Sequence, residues 1–121
     1  MAPDYLPCLY TCADTHAPPR PRLTGTARTQ IAIVGAGFTG CSAALALAER
    51  GIPAILIDAA RAGYQASGRN GGQIHSGYNV EQQELEQRFG ADRAHALWDL
   101  AERAKKLVRV RITRHGIGTT A

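Results

Sequence analysis

A glycine-rich hexapeptide is the clearest candidate for chemistry in this sequence. Gly35, Gly37 and Gly40 give it the spacing G-x-G-x-x-G. In such a loop the first glycine permits a tight turn, the second lets the backbone approach a pyrophosphate, and the third lets a helix pack closely on a strand. N–H groups at the start of that helix would then face the phosphates. The candidate phosphate-binding residues are Gly35, Ala36, Gly37, Phe38, Thr39 and Gly40.

An acidic residue follows at the distance expected for dinucleotide binding. Asp58 ends the next apolar run, about 20 residues after the loop, where a carboxylate can bind ribose hydroxyls. An acid at this position disfavours a 2′-phosphate, so FAD or NAD fits better than NADP. The pattern does not separate FAD from NAD. The alternative is a glycine turn that binds nothing.

A second glycine-rich stretch follows the acid. Ser67 offers a hydroxyl, and the glycines at 68, 71 and 72 allow backbone N–H groups to converge on an anion. Arg69 would add positive charge beside the phosphates, or it is a surface arginine without a binding role. This stretch therefore extends the candidate anion site beyond the first loop.

Histidine and cysteine side chains give weaker indications. His75 is a candidate acid or base, although a lone histidine after a loop is more often a hydrogen-bonded structural residue. Cys8, Cys12 and His16 have a four-residue spacing that could supply three metal ligands, but structural zinc sites normally use four. We therefore expect no metal site. Cys41 lies in an apolar helical run, which predicts a buried free thiol.

The elements that must hold the first loop and the acid are a strand, a helix and a strand. The runs at 30–34 and 54–58 are short and apolar, which predicts two parallel strands that are buried on both faces. Between them, apolar residues recur at helical spacing. We expect this helix to begin near Phe38 and to stop at Gly51, with Arg50 in its last turn. The result is a βαβ unit.

The second half of the chain reads as a long helix. Residues 61–80 are predicted to be irregular, with a short strand around 73–76. Residues 81–115 have helical periodicity. Asp92 is the expected N-cap of this helix and Gly116 its stop. Its apolar stripe consists of Ala94, Leu97, Trp98, Ala101, Ala104, Val108 and Ile112. Its basic residues fall mostly off that stripe and are interpreted as a solvated face: Arg103, Lys106, Arg109, Arg111 and Arg114. Nucleic acid is not expected as a partner, because aromatic side chains for base stacking are missing.

The second glycine-rich stretch also carries a family resemblance. Residues 66–73, Ala-Ser-Gly-Arg-Asn-Gly-Gly-Gln, closely resemble the corresponding segment of the D-amino-acid oxidase-like (DAO) family of FAD-dependent oxidoreductases, particularly members similar to gamma-glutamylputrescine oxidase. The resemblance covers roughly residues 30–80 and, more loosely, the helix to Gly116. It implies FAD as the cofactor of a flavoprotein that oxidises small-molecule amines or amino acids. It also implies that this segment runs past the pyrophosphate, which adds to the cofactor-binding residues Ser67, Arg69, Asn70, Gly71 and Gly72.

Length and composition limit the rest. The 121 residues suffice for one domain, and a hydrophobic content of 45% excludes a fully disordered chain. The net charge of +4 is too small to indicate nucleic acid by itself. Residues 1–29 are expected to form a proline-rich leader arm, and residues 30–121 the N-terminal part of an FAD-binding domain. The sequence has neither a transmembrane span nor a signal peptide, so we expect a cytoplasmic protein.

The fold prediction is therefore an α/β, Rossmann-like FAD-binding domain that is truncated, because members of the family are several times longer. The substrate domain is expected to be absent, the catalytic residues are unknown, and the fragment alone is expected to be inactive. The alternative function is a small, non-catalytic dinucleotide-binding or interaction module. The sequence does not indicate an oligomeric state.

Overall fold

The described part of the chain folds into two compact units, which divide between Gly71 and Gly72. The structure, a computed structural model, describes residues 20–118. Most of the leader arm predicted at 1–29 lies outside the described residues, as does the weak metal-ligand set of Cys8, Cys12 and His16. The elements of the first unit are strand β1 (Ile31–Val34), helix α1 (Phe38–Ala48), strand β2 (Ala54–Ile57) and a 3-10 turn (Ala66–Gly68). Those of the second are helices α2 (Gln82–Phe89) and α3 (Ala91–His115).

The first unit confirms the predicted strand–helix–strand arrangement. β1 and β2 pair in parallel, with Ile31 opposite Ala54 and Val34 opposite Ile57, and α1 packs against both strands. The helix begins at the predicted residue. It ends earlier than expected, so Arg50 lies beyond its last turn rather than in it. Two strands, one helix and short joints therefore place the carboxyl ends of β1 and β2 side by side.

Burial of the sheet differs from the prediction. The strands were expected to be buried on both faces, but side chains of β1 alternate between half-buried and exposed positions, and Val34 is 82% exposed. Side chains of a strand point alternately to opposite faces, and helix α1 covers only one of them. Cys41 corrects a second expectation: its thiol is exposed, although the apolar run around it predicted burial.

The second unit replaces the single predicted helix over 81–115 with two. Gly90 adopts a positive φ of 81° between α2 and α3, a conformation that glycine adopts readily and that ends the first helix. Asp92 consequently lies in the first turn of α3 and is not its N-cap. Leu85 and Ala94 are the buried residues where α2 and α3 pack together. The strand expected around 73–76 is not formed.

Helix α3 follows its predicted pattern in part. Ala94 is buried, Leu97, Ala101 and Ile112 are half-buried, and the helix stops at Gly116 in the left-handed conformation. The rest of the apolar stripe is exposed: Trp98, Ala104 and Val108. Most of the basic side chains are exposed as expected, with Arg111 half-buried. Among residues 20–118, no helix is both long and apolar enough to cross a membrane.

Side chains hold the segment before α2 against α3. The Lys105 Nζ donates a hydrogen bond to the Ser76 hydroxyl and pairs with the Glu102 carboxylate at 2.8 Å. The Tyr78 hydroxyl donates to the Leu97 carbonyl at 3.2 Å. The bonds from Lys105 and then Ser76 lower the pKa of Glu102 below its ordinary value. The contacts that join the segment before α2 to α3 are therefore hydrogen bonds near the surface.

Candidate functional site

The glycine loop turns sharply from β1 into α1. The Gly35 N–H donates to the Ile57 carbonyl at 2.8 Å, which extends the ladder one residue past the strands, and Gly35 then adopts a φ of 99°. Gly40 is buried in the first turn of α1. A Cβ at Gly40 would lie 1.8 Å from the Gly35 carbonyl oxygen. No side chain fits there, so the first and third glycines are both required by the backbone itself.

Asp58 is bonded directly to this loop. Its Oδ2 accepts the N–H of Ala36 at 2.6 Å, and its Oδ1 accepts the N–H of Ala60 at 2.8 Å. The bond from Ala36 is the largest of the effects that lower the pKa of Asp58, followed by the bond from Ala60, while desolvation opposes them. The carboxylate is thus anionic at neutral pH and lies at the carboxyl ends of both strands.

Ala36 is held on its other side by a residue that the sequence did not single out. The Gly63 N–H donates to the Ala36 carbonyl at 2.9 Å, and the Cys41 thiol lies 3.5 Å from the same oxygen. Ala36 is only 6% exposed. Gly63 has a φ of 71°, and this glycine was the available sequence signal for a turn at this position.

Ser67 lies at the start of helix α1, although it is 29 residues away in sequence. Its hydroxyl oxygen accepts the N–H of Phe38 at 3.0 Å and thereby caps one of the donors that a helix N-terminus leaves without a backbone partner. A Cβ at Gly37 would lie 2.8 Å from that hydroxyl oxygen. The second glycine of the loop is therefore required by the approach of the second glycine-rich stretch.

Arg69 and Asn70 shape the turn that presents Ser67. The Arg69 Nε donates to the Tyr64 carbonyl at 3.0 Å, and its guanidinium lies 5.5 Å from the centre of the Tyr64 ring, within range of a cation–π interaction. The Asn70 Nδ2 donates to the carbonyls of Ala66 and Ser67 at 3.1 and 2.9 Å. Both predicted site residues thus have a structural role in this unit.

The remaining predicted residues are Gly71, Gly72 and His75. The boundary between the two units falls between Gly71 and Gly72. His75 belongs to the second unit, is exposed, and has its Nε2 at 2.9 Å from the Gln73 Oε1. His75 thus stays a candidate acid or base, with a hydrogen-bonded structural role as the favoured interpretation. Within residues 20–118 no group of histidine, cysteine and carboxylate side chains is arranged to hold a metal ion.

The loop has the donors that a pyrophosphate requires. The N–H groups of Thr39 and Gly40 lie in the first turn of α1, where a helix has no carbonyl to accept them, and the helix dipole favours an anion at this end. The Ser67 hydroxyl accepts from Phe38 and retains its own proton for donation. Because Gly37 has no side chain, nothing from that residue covers these groups. The residues present therefore fit the phosphates of a dinucleotide.

This chain has a parallel βαβ unit, a glycine loop after its first strand and an acid after its second strand. These features are typical of dinucleotide-binding proteins. Residues 30–120 match the FAD dependent oxidoreductase family, DAO, and the chain belongs to that family. The family membership confirms the resemblance noted in the sequence, identifies FAD as the cofactor and implies an FAD-binding, Rossmann-like domain.

Curated relatives agree with the family. The chain is 39% identical over 97 residues to "Probable oxidoreductase OrdL" of Haemophilus influenzae and 41% identical over 108 residues to the protein of the same name from Rhizobium meliloti. These matches cover 80% and 89% of the chain. It is also 39% identical over 87 residues, 72% of the chain, to "Gamma-glutamylputrescine oxidoreductase" of Escherichia coli.

The three relatives are much longer than this chain. They cover 22%, 25% and 20% of the three relatives, so the chain spans about a quarter or less of each. No solved structure matches the chain.

Proposed function

We propose that this chain supplies the segment that binds the ADP half of FAD in an amine- or amino-acid-oxidising flavoenzyme. The observation that carries the proposal is the convergence of Asp58 and Ser67 on the glycine loop, through Ala36 and Phe38. The amine or amino-acid substrate is supported by one relative, whose printed name is gamma-glutamylputrescine oxidoreductase. The substrate class and a cytoplasmic location both belong to this proposal.

Each group of the site has a defined task in the proposal. The N–H groups of Thr39 and Gly40 and the Ser67 hydroxyl donate to the pyrophosphate, while Asp58 accepts from a ribose hydroxyl. Arg69 and Asn70 keep the turn that presents Ser67. Bound FAD would supply the redox chemistry by accepting a hydride from the carbon that bears the amine.

Replacement of the second glycine tests the site. In Gly37→Val the side chain would displace Ser67, whose hydroxyl oxygen lies 2.8 Å from the Cβ position, and would occupy the space of the phosphate. We expect FAD binding by the 121-residue chain to be weak and binding by Gly37→Val to be undetectable, both measured by fluorescence anisotropy. Gly118→Val is the matched control, because a Cβ at Gly118 meets nothing within 4 Å. Equal affinity of Gly37→Val and the wild type would contradict the proposal.

An activity assay tests where the catalytic groups lie. We expect the chain alone to oxidise no amine, because it spans about a quarter or less of each relative and the residues assigned to the cofactor address only the ADP half. The measurement is peroxide release with a panel of amines and D-amino acids and excess FAD. Robust turnover would place the catalytic groups within these 121 residues. A companion assay with a full-length relative carrying the equivalent of Gly37→Val should show lost turnover. Retained turnover there would contradict the role proposed for the second glycine of the loop.

A further inference from the structure

We infer that Asp58 is a positioning residue for the glycine loop, through its bond to the Ala36 N–H, independently of any contact that it makes with a ribose. The inference deepens the proposed function and rests on it for the identity of the ligand. It assigns to Asp58 a task in the protein before a nucleotide arrives.

The carboxylate connects two loops with its two oxygens. Oδ2 accepts the N–H of Ala36 at 2.6 Å and Oδ1 accepts the N–H of Ala60 at 2.8 Å. Hydrogen bonds from N–H groups to an ionised acceptor are stronger than those between neutral groups. One ionised side chain thus joins the turn after β1 to the turn after β2.

The peptide groups on both sides of Ala36 are fixed by this arrangement. Its N–H is held by Asp58, and its carbonyl is held by the N–H of Gly63 at 2.9 Å. The orientation of that carbonyl sets the plane of the next peptide, which contains the N–H of Gly37. The path of the turn from Ala36 into α1 therefore depends on two bonds, one of which Asp58 supplies. Loss of the carboxylate should loosen the turn that leads to the Thr39 and Gly40 donors, and so affect the phosphate side of the site as well as the ribose side.

The two tasks of Asp58 are compatible. Each carboxylate oxygen can accept more than one hydrogen bond, and the side chain is exposed. A ribose hydroxyl can therefore donate to an oxygen that is already bonded to an amide. The tasks differ in one measurable respect: a ribose contact affects only ligands that contain ribose, whereas loop positioning also affects inorganic pyrophosphate.

The first measurement needs no ligand. Amide hydrogen exchange is followed by NMR in the wild type, in Asp58→Ala and in Asp99→Ala, which removes an exposed aspartate from α3 as a matched control. We expect the Ala36 N–H to exchange about tenfold faster in Asp58→Ala than in the wild type. The Gly35 N–H, which donates to Ile57, should stay protected and shows that the sheet remains folded. Asp58→Asn, with one acceptor oxygen for two amides, should give an intermediate rate and is the second variant if Asp58→Ala does not fold.

The second measurement compares ADP with inorganic pyrophosphate by NMR titration of the same variants. We expect Asp58→Ala to weaken pyrophosphate binding by a factor of about ten and ADP binding by at least that factor, because ADP also loses the ribose contact, with Asp99→Ala unchanged. Unchanged exchange at Ala36, or weakened binding of ADP alone, would overturn the positioning role. Failure of the wild type to bind either ligand would instead refute the proposed function, and the exchange rate at Ala36 would still decide whether Asp58 holds the loop.

Discussion

The glycine loop and the second unit are stabilised by different kinds of contact. In the loop, side-chain oxygens of Asp58 and Ser67 accept backbone N–H groups, and the glycines lie where a Cβ would collide with other atoms. In the second unit, Lys105 of α3 joins Ser76, which precedes α2, and Glu102 through side chains alone. Backbone contacts have little freedom to adjust, whereas long side chains at a surface do. The two regions should therefore respond very differently to substitution.

The largest effect is expected at Gly40. In Gly40→Ala the new methyl group would lie 1.8 Å from the Gly35 carbonyl oxygen, so the helix and the turn must move apart. We expect the free energy of unfolding to fall by about 3 kcal/mol, the upper part of the range for overpacking. Urea denaturation followed by circular dichroism measures it. Gly71→Ala is the control, because a Cβ at Gly71 meets nothing within 4 Å. Equal midpoints for the two variants would contradict the described loop.

An intermediate effect is expected at Ser67. Ser67→Ala removes the oxygen that accepts the Phe38 N–H, and loss of such a helix cap costs about 1 kcal/mol of stability. The same denaturation experiment measures it. Ser67→Thr keeps the hydroxyl and should recover most of the loss. If Ser67→Thr were as unstable as Ser67→Ala, the hydroxyl would not be the stabilising group.

The sequence predicted the strands, helix α1 and the loop because their signals are local. A β-branched run, a glycine turn and helical periodicity each lie within a few residues of the element that they define. The contacts of Ser67 with Phe38 and of Gly63 with Ala36 join segments that are distant in sequence, and no local pattern contains them. The role of Ser67 as a helix cap could therefore not be derived from spacing.

The errors in the second unit have a local physical cause. Gly90 stands inside a helical pattern, where an isolated glycine is tolerated, and the periodicity continues on both sides of it. The chain instead uses the positive φ of Gly90 to separate two helices that then pack at Leu85 and Ala94. The choice between a continuous and a broken helix depends on this packing. Periodicity alone does not encode it.

Acid should weaken the loop through Asp58. The pKa of Asp58 is lower in the folded chain than its ordinary value, so the folded state binds fewer protons near pH 4 than the unfolded state. The carboxylate thus stabilises the fold above about pH 4, and this contribution is lost as the pH falls through the lowered pKa. We expect the urea midpoints of the wild type and Asp58→Asn to differ at pH 7 and to converge towards pH 2. A constant difference across this range would exclude the ionised carboxylate as the cause.

The smallest effect is expected at Lys105, and its response to salt distinguishes the two regions. Lys105→Ala removes the bonds to Ser76 and Glu102, but surface ion pairs contribute little, so we expect the melting temperature to fall by about 2 °C. Fluorescence of Trp98, the single tryptophan, follows the transition. Lys106→Ala removes a neighbouring exposed lysine from the same helix and is the matched control.

At 1 M salt, where the Debye length is about 3 Å, the difference between Lys105→Ala and the wild type should shrink, because the charge of Glu102 is screened. The loss in Ser67→Ala should persist at the same salt concentration, because the Phe38 N–H and the Ser67 hydroxyl carry no net charge. A Ser67→Ala loss that shrank as much as that of Lys105→Ala would show that long-range charge stabilises both regions, and the distinction between them would fail.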